Sequence, residues 1–214
     1  TGLHEQQDGD LCRLARWRSG HTNSRGRRCV GSCVESLLRL SGSAALDVSA
    51  LHIPHTGLAI ESALLDLKFA LGEQRGAVLV APPGTGKSTV APLHIAADTT
   101  GRVLLLEPRR IAARAVALRL AELLGEPLGR TVGLRTRDET TTSPGARIEV
   151  VTEGVLLAML HNDASLAGVD VVVFDEFHER SLDADLARAL ALNCRQHLPR
   201  DLAIEVVSAA LDPA

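Results

Sequence analysis

The sequence predicts a three-layer α/β domain, a mostly parallel sheet with helices on both faces, preceded by a poorly ordered extension. Three observations carry this expectation. Short runs of Val, Leu and Ile alternate with longer segments whose apolar residues recur at helical spacing, the pattern of a sheet buried on both faces. One apolar run, Ala77–Val80, opens directly into the glycine-bearing loop APPGTGKST at 81–89. Another, Val169–Phe174, ends in two adjacent acids, Asp175 and Glu176. In such sheets ligands gather at the carboxyl ends of the strands.

The elements follow in order. Residues 1–46 show no sustained period, and the stretch RWRSGHTNSRGRRC is polar and arginine-rich. Residues 1–50 are therefore read as a flexible extension with at most a short helix near Glu35–Leu40. Order begins near Leu51, and LAIESALLDLKFAL at 58–71 has helical spacing. Ala77–Val80 is a strand, followed by the glycine loop and a helix in which Pro92 is expected to remove one bond and cause a bend. Arg102–Leu106 is a strand and Arg109–Leu124 a helix stopped by Gly125. Val132–Arg137 and Ile148–Val151 read as strands, Val155–His161 as a short helix and Val169–Phe174 as a buried strand. A helix over Asp183–His197 and a strand over Leu202–Val207 complete the domain, residues 51–214.

Composition narrows the function classes. The chain has 214 residues, 45% hydrophobic, with three Phe, one Trp and no Tyr, so the core must be aliphatic. The formal net charge of −3 does not advertise a nucleic-acid binder, and only a local basic surface can serve as one. Cys12, Cys29 and Cys33 with His21 match no standard zinc spacing. Free thiols in a reducing compartment are the plainer reading. No apolar run is long enough to span a bilayer and no signal-type stretch opens the chain, so a cytoplasmic protein without membrane partners is expected.

The loop at 81–89 carries the chemistry. Gly84, Gly86, Lys87 and Ser88 fit the phosphate-binding pattern G-x-x-x-x-G-K-[ST], with Ala81 in place of the first Gly. Two glycines let backbone N–H groups turn inward around phosphate oxygens, and the following helix adds its positive end. Lys87 supplies a point charge for the β and γ phosphates, and the Ser88 hydroxyl can ligate Mg²⁺. A second acidic strand tip completes a site for ATP and Mg²⁺. Asp175 holds the metal and Glu176 deprotonates the attacking water.

These segments resemble the DExH/DEAH-box helicases of superfamily 2, and most of all the bacterial HrpB-type group. APPGTGKST, EPRRIAARA at 107–115, VGLRTRDE at 132–139, VTEGVLLAML at 151–160, DEFHERS at 175–181 and SAALDPA at 208–214 fall in the family's order. The resemblance implies a P-loop NTPase fold of the RecA-like kind over residues 51–214 and ATP-dependent RNA helicase activity. It implies ATP and Mg²⁺ binding by Pro83, Gly84, Thr85, Gly86, Lys87, Ser88 and Thr89, with Ser88 and Asp175 on the metal and Arg119 on the adenine face. Catalysis falls to Lys87, Asp175, Glu176 and His178, the last linking the nucleotide to the third motif. Arg109, Arg110, Thr152 and Gly154 would contact single-stranded RNA, or DNA in its place.

Two departures bear on activity. Ala210 stands where the family has Thr, which removes a hydroxyl tied to strand separation. The second RecA-like domain, the source of arginine fingers, is expected to be missing from these residues, so the domain alone should turn over ATP weakly. Two further readings stand beside the helicase one: a non-catalytic nucleotide- or nucleic-acid-binding remnant, and a small-molecule P-loop kinase.

Overall fold

A computed structural model describes residues 13–15, 51–179, 181–197 and 202–209. The helix expected at Glu35–Leu40, the Cys12/Cys29/Cys33/His21 group and Ala210 lie outside the described residues. So does the expected extension, apart from Arg13–Ala15.

Among the described residues eight strands form one sheet: β1 (Arg13–Ala15), β2 (Gly76–Val80), β3 (Arg102–Glu107), β4 (Val132–Arg135), β5 (Thr140–Thr141), β6 (Ile148–Thr152), β7 (Val169–Phe174) and β8 (Ala203–Ser208). Their spatial order is β1-β2-β8-β7-β3-β6-β4-β5. The six inner strands run parallel, and only the short edge strands β1 and β5 pair antiparallel. Five helices cover the sheet: α1 (Leu64–Gln74), α2 (Val90–Asp98), α3 (Arg110–Leu123), α4 (Glu153–Asn162) and α5 (Leu182–His197).

The strand period of two divides the core between the faces. Val103, Leu105, Val171 and Val173 join Leu67, Leu93 and Leu120 beneath α1, α2 and α3. Leu104, Leu106, Val172 and Phe174 join Leu156 and Ala187 beneath α4 and α5. No side chain in either cluster needs a polar partner, which is why the strands read as mainly apolar runs.

Three local findings depart from expectation. The first helix starts at Leu64 after a 3₁₀ turn, Ala59–Ala63, because the Glu61 carboxylate accepts from the Thr56 N–H and hydroxyl at 2.7 and 2.8 Å. The strand read over Val132–Arg137 stops at Arg135 and turns into β5, closed by the Thr136 N–H donating to the Glu139 carbonyl at 2.8 Å. Pro92 falls in the first turn of α2. N–H groups there have no partner inside a helix, so proline forfeits no bond and the expected bend has no cause. No described helix is long and apolar enough to cross a membrane.

Candidate active site

Register brings the site together. Val80 pairs with Ser208, Leu106 with Phe174 and Glu107 with Thr152. The loops after β2, β3, β6, β7 and β8 therefore leave the sheet along one edge.

The loop after β2 is anchored at both ends. The Ala81 N–H donates to the Ser208 carbonyl at 3.2 Å, and the Thr85 carbonyl accepts from the Ile60 N–H at 3.2 Å. The Thr85 hydroxyl donates to the Pro82 carbonyl at 2.8 Å. Gly84 and Gly86 adopt φ of 80° and 96°, a region open to glycine. At Gly86 space is short as well, since a Cβ would lie 2.9 Å from Ile60 Cγ2. The Gly86 carbonyl accepts the Val90 N–H at 2.7 Å, which leads the chain into α2. Pro83 is exposed, and Ser88 and Thr89 are half-buried in the turn ahead of α2.

Lys87 is only 4% exposed. Its Nζ donates to Glu176 Oε1 at 2.8 Å. The two sequence segments, 89 residues apart, thus meet at one point. Glu176 Oε2 lies 3.4 Å from His178 Nδ1, so this carboxylate sits between two nitrogen groups. Glu176 has φ of 49°, unusual for a residue with a side chain and common at functional sites. Asp175, also 4% exposed, accepts the Glu176 N–H on Oδ1 at 2.8 Å. Its Oδ2 is buried and has no hydrogen-bond partner among the described residues. An unpaired buried carboxylate oxygen is costly, and a hard cation with oxygen ligands satisfies it.

A third acid, missed in the sequence reading, stands beside this pair. Glu107 ends β3 and is 2% exposed. Burial first, then the charge of Asp175 and contact with its carboxylate, push the Glu107 pKa up to about 9. Glu107 is therefore held neutral beside the Asp175 carboxyl group. Its signal was present, since it closes an apolar strand run as Asp175 does, but the eye goes to the arginines that follow it.

The expected strand-contacting residues lie along the same edge. Arg109 caps α3 and Arg110 begins it. Arg109 Nη2 pairs with Glu179 Oε1 at 2.8 Å, Arg110 pairs with Asp138, and Arg114 pairs with Glu139. Thr152 ends β6 as the cap of α4, and Gly154 lies exposed in the first turn of that helix. Arg119 stands apart: it pairs with Glu122 on its own helix at 3.1 Å and not with the phosphate loop. Glu179, Asp138 and Glu139 escaped the sequence reading because nothing in a linear pattern reveals which arginine an acid will face.

Residues 59–214 match the DEAD/DEAH box helicase family. The chain belongs to that family. It is 50% identical over 159 residues to the ATP-dependent RNA helicase HrpB of Escherichia coli (strain K12), covering 73% of this chain and 20% of that protein. It is 33% identical over 158 residues to the ATP-dependent RNA helicase HrpA homolog of Haemophilus influenzae, covering 72% of this chain and 12% of that one. A crystal structure of the Escherichia coli DExH-box NTPase HrpB superposes with a TM-score of 0.71 at 50% identity, over 74% of this chain and 20% of that one. A second, described as the DEAH/RHA helicase HrpB, gives a TM-score of 0.69 over 72% and 20%. The fold is thus that of a RecA-like helicase domain, as the sequence resemblance implied. The chain spans about a fifth of the length of the HrpB proteins it matches.

Proposed function

We propose that this domain binds ATP with Mg²⁺ at the carboxyl edge of its sheet and grips single-stranded RNA beside it. Paired with a second RecA-like domain, it hydrolyses the ATP. The observation that carries this reading is the 2.8 Å contact between Lys87 and Glu176, which makes the phosphate loop and the acid pair one site. Similarity to the HrpB and HrpA helicases supports RNA as the strand.

Backbone N–H groups of the loop at Gly84–Thr89 enclose the phosphates, as the left-handed glycines permit. Lys87, released from Glu176, meets the β and γ oxygens. Ser88 and the unpartnered Asp175 Oδ2 would hold the magnesium, which draws off charge from the phosphate oxygens when bound. Glu176 takes a proton from the water whose oxygen attacks the γ-phosphorus, and the bond to the bridging oxygen of ADP breaks. His178 keeps the second Glu176 oxygen oriented. Glu107 packs against Asp175 at the same strand edge.

The test is ATP turnover by the chain, with and without single-stranded RNA, together with Mg-ATP binding. RNA-stimulated turnover is expected, and Glu176→Gln should lower it about 10²–10⁴-fold while leaving nucleotide binding in place. Turnover that needs a small-molecule phosphate acceptor, or that is unchanged in Glu176→Gln, would overturn the reading.

A further inference from the structure

The turn that carries Glu176 is held at two points by the segments expected to touch RNA. Phe177–Glu179 is a single 3₁₀ turn, closed by the Glu179 N–H donating to the Glu176 carbonyl at 2.9 Å. Glu179 pairs with Arg109, which caps α3 at the end of β3. Two residues on, the Ser181 hydroxyl donates to Glu153 Oε1 at 2.6 Å while accepting the Ala184 N–H at 2.9 Å. Glu153 is the first residue of α4, between Thr152 and Gly154. Glu153, Glu176, Glu179 and Ser181 line one small cleft.

We propose that Glu179 and Ser181 are positioning residues that couple the RNA-binding edge to Glu176. The inference rests on the function proposed above and adds the path by which strand and nucleotide sense each other. In the arrangement described, the phosphate-binding lysine and the general base neutralise each other, and Glu176 is kept in a left-handed conformation. An RNA phosphate arriving at Arg109 competes with Glu179 for one guanidinium. Arg109 is 72% exposed, so its pair with Glu179 is weak and exchangeable, whereas an arginine–phosphate fork is strong and directional. Once Glu179 lets go, the turn it closes is no longer fixed from the α3 side. Glu176 can then leave both its left-handed φ and Lys87. The path works in reverse: phosphates on Lys87 displace Glu176, shift the same turn and free Arg109. Linkage requires the two effects to be equal in free energy.

The experiment uses the full 214-residue chain, a fluorescein-labelled oligouridine and a fluorescent non-hydrolysable ATP analogue with Mg²⁺. In the unmodified chain, saturating oligouridine should tighten the nucleotide analogue about fivefold or more. Glu179→Gln should bind oligouridine more tightly without nucleotide, because the competitor is gone, and its coupling factor should fall close to unity. A residue needed only for folding would weaken both ligands instead. Ser181→Ala, which keeps Glu179 but cuts the tether to Glu153, should lower the coupling factor without changing oligouridine affinity, and it decides the matter if Glu179→Gln does not fold. If the unmodified chain binds neither ligand, the proposed function fails and takes the relay with it. If it binds both but shows no coupling, or if coupling persists undiminished in these variants, the relay alone is wrong.

Discussion

Glu205 places a carboxylate in the middle of the sheet, opposite Ala77 on β2 and Val173 on β7. It is fully buried, and neither oxygen has a hydrogen-bond partner among the described residues. Burial first, then the charge of Asp175, raise its pKa from an ordinary 4.5 to about 8. The folded protein thus holds a proton that the unfolded chain releases above 4.5. Stability is full below that value and declines as pH rises toward 8, with a slope of up to about 1.4 kcal/mol per pH unit from this one group. Urea midpoints measured at pH 5, 6.5 and 8 should fall in that order, and Glu205→Leu should make the series shallower, the remaining slope coming from Glu107, and raise the midpoint at pH 8. An unchanged slope in Glu205→Leu would place the effect elsewhere. Gly86 is the opposite case, a position where a single methyl is excluded. Gly86→Ala meets both a φ of 96° and a 2.9 Å clash with Ile60, which should cost about 1–3 kcal/mol in thermal stability. Mg-ATP binding should fall with it.

At the level of elements, α3 and the β4–β5 turn face each other through Arg110–Asp138 and Arg114–Glu139. These pairs are exposed, so their removal should change stability by less than about 1 kcal/mol. Their greater effect is on the strand: the acids occupy the basic groups that an RNA backbone would need. Replacing Asp138 with Asn and Glu139 with Gln should raise RNA affinity and steepen its dependence on salt, since more phosphate charge is then neutralised by protein. Anisotropy titrations at two salt concentrations check this, and equal affinity in both proteins would show that the arginines do not meet phosphate. The elements themselves were largely legible. β3, β6, β7 and β8 announce themselves because strands buried on both faces are mostly apolar, even where β6 and β8 each carry one buried glutamate, Glu149 and Glu205. Edge strands carry no such constraint, so β1 and β5, three and two residues long, left no readable pattern. The close of α1 was hidden for another reason. Its last carbonyls, on Gln74 and Arg75, accept from Arg195 on α5, 121 and 120 residues away.

For the whole molecule, charge balance at the site sets what the domain can do alone. Three carboxyl groups, on Glu107, Asp175 and Glu176, cluster at the strand tips, and the buried Lys87 pairs with the last of them. The loop and acid pair were readable because their residue types follow from phosphate and metal chemistry. The pairing of Arg109, Arg110 and Arg114 with acids was not, because it depends on how the β4–β5 turn and the turn after β7 fold toward α3. Among the described residues, Arg109, Arg110 and Arg114 pair with Glu179, Asp138 and Glu139 and not with the groups around Lys87. The transition state of phosphoryl transfer spreads negative charge over oxygens that Lys87 alone does not cover, and arginine fingers supplied from outside raise such turnover by about 10³-fold or more. Slow turnover is therefore expected from this chain, even with RNA bound. Adding in trans the part of Escherichia coli HrpB that the chain does not match should raise RNA-stimulated turnover by about that factor. The gain should vanish with Glu176→Gln in this chain, since charge neutralisation cannot replace the base. A gain that survives Glu176→Gln would mean that the added polypeptide, not this domain, performs the hydrolysis.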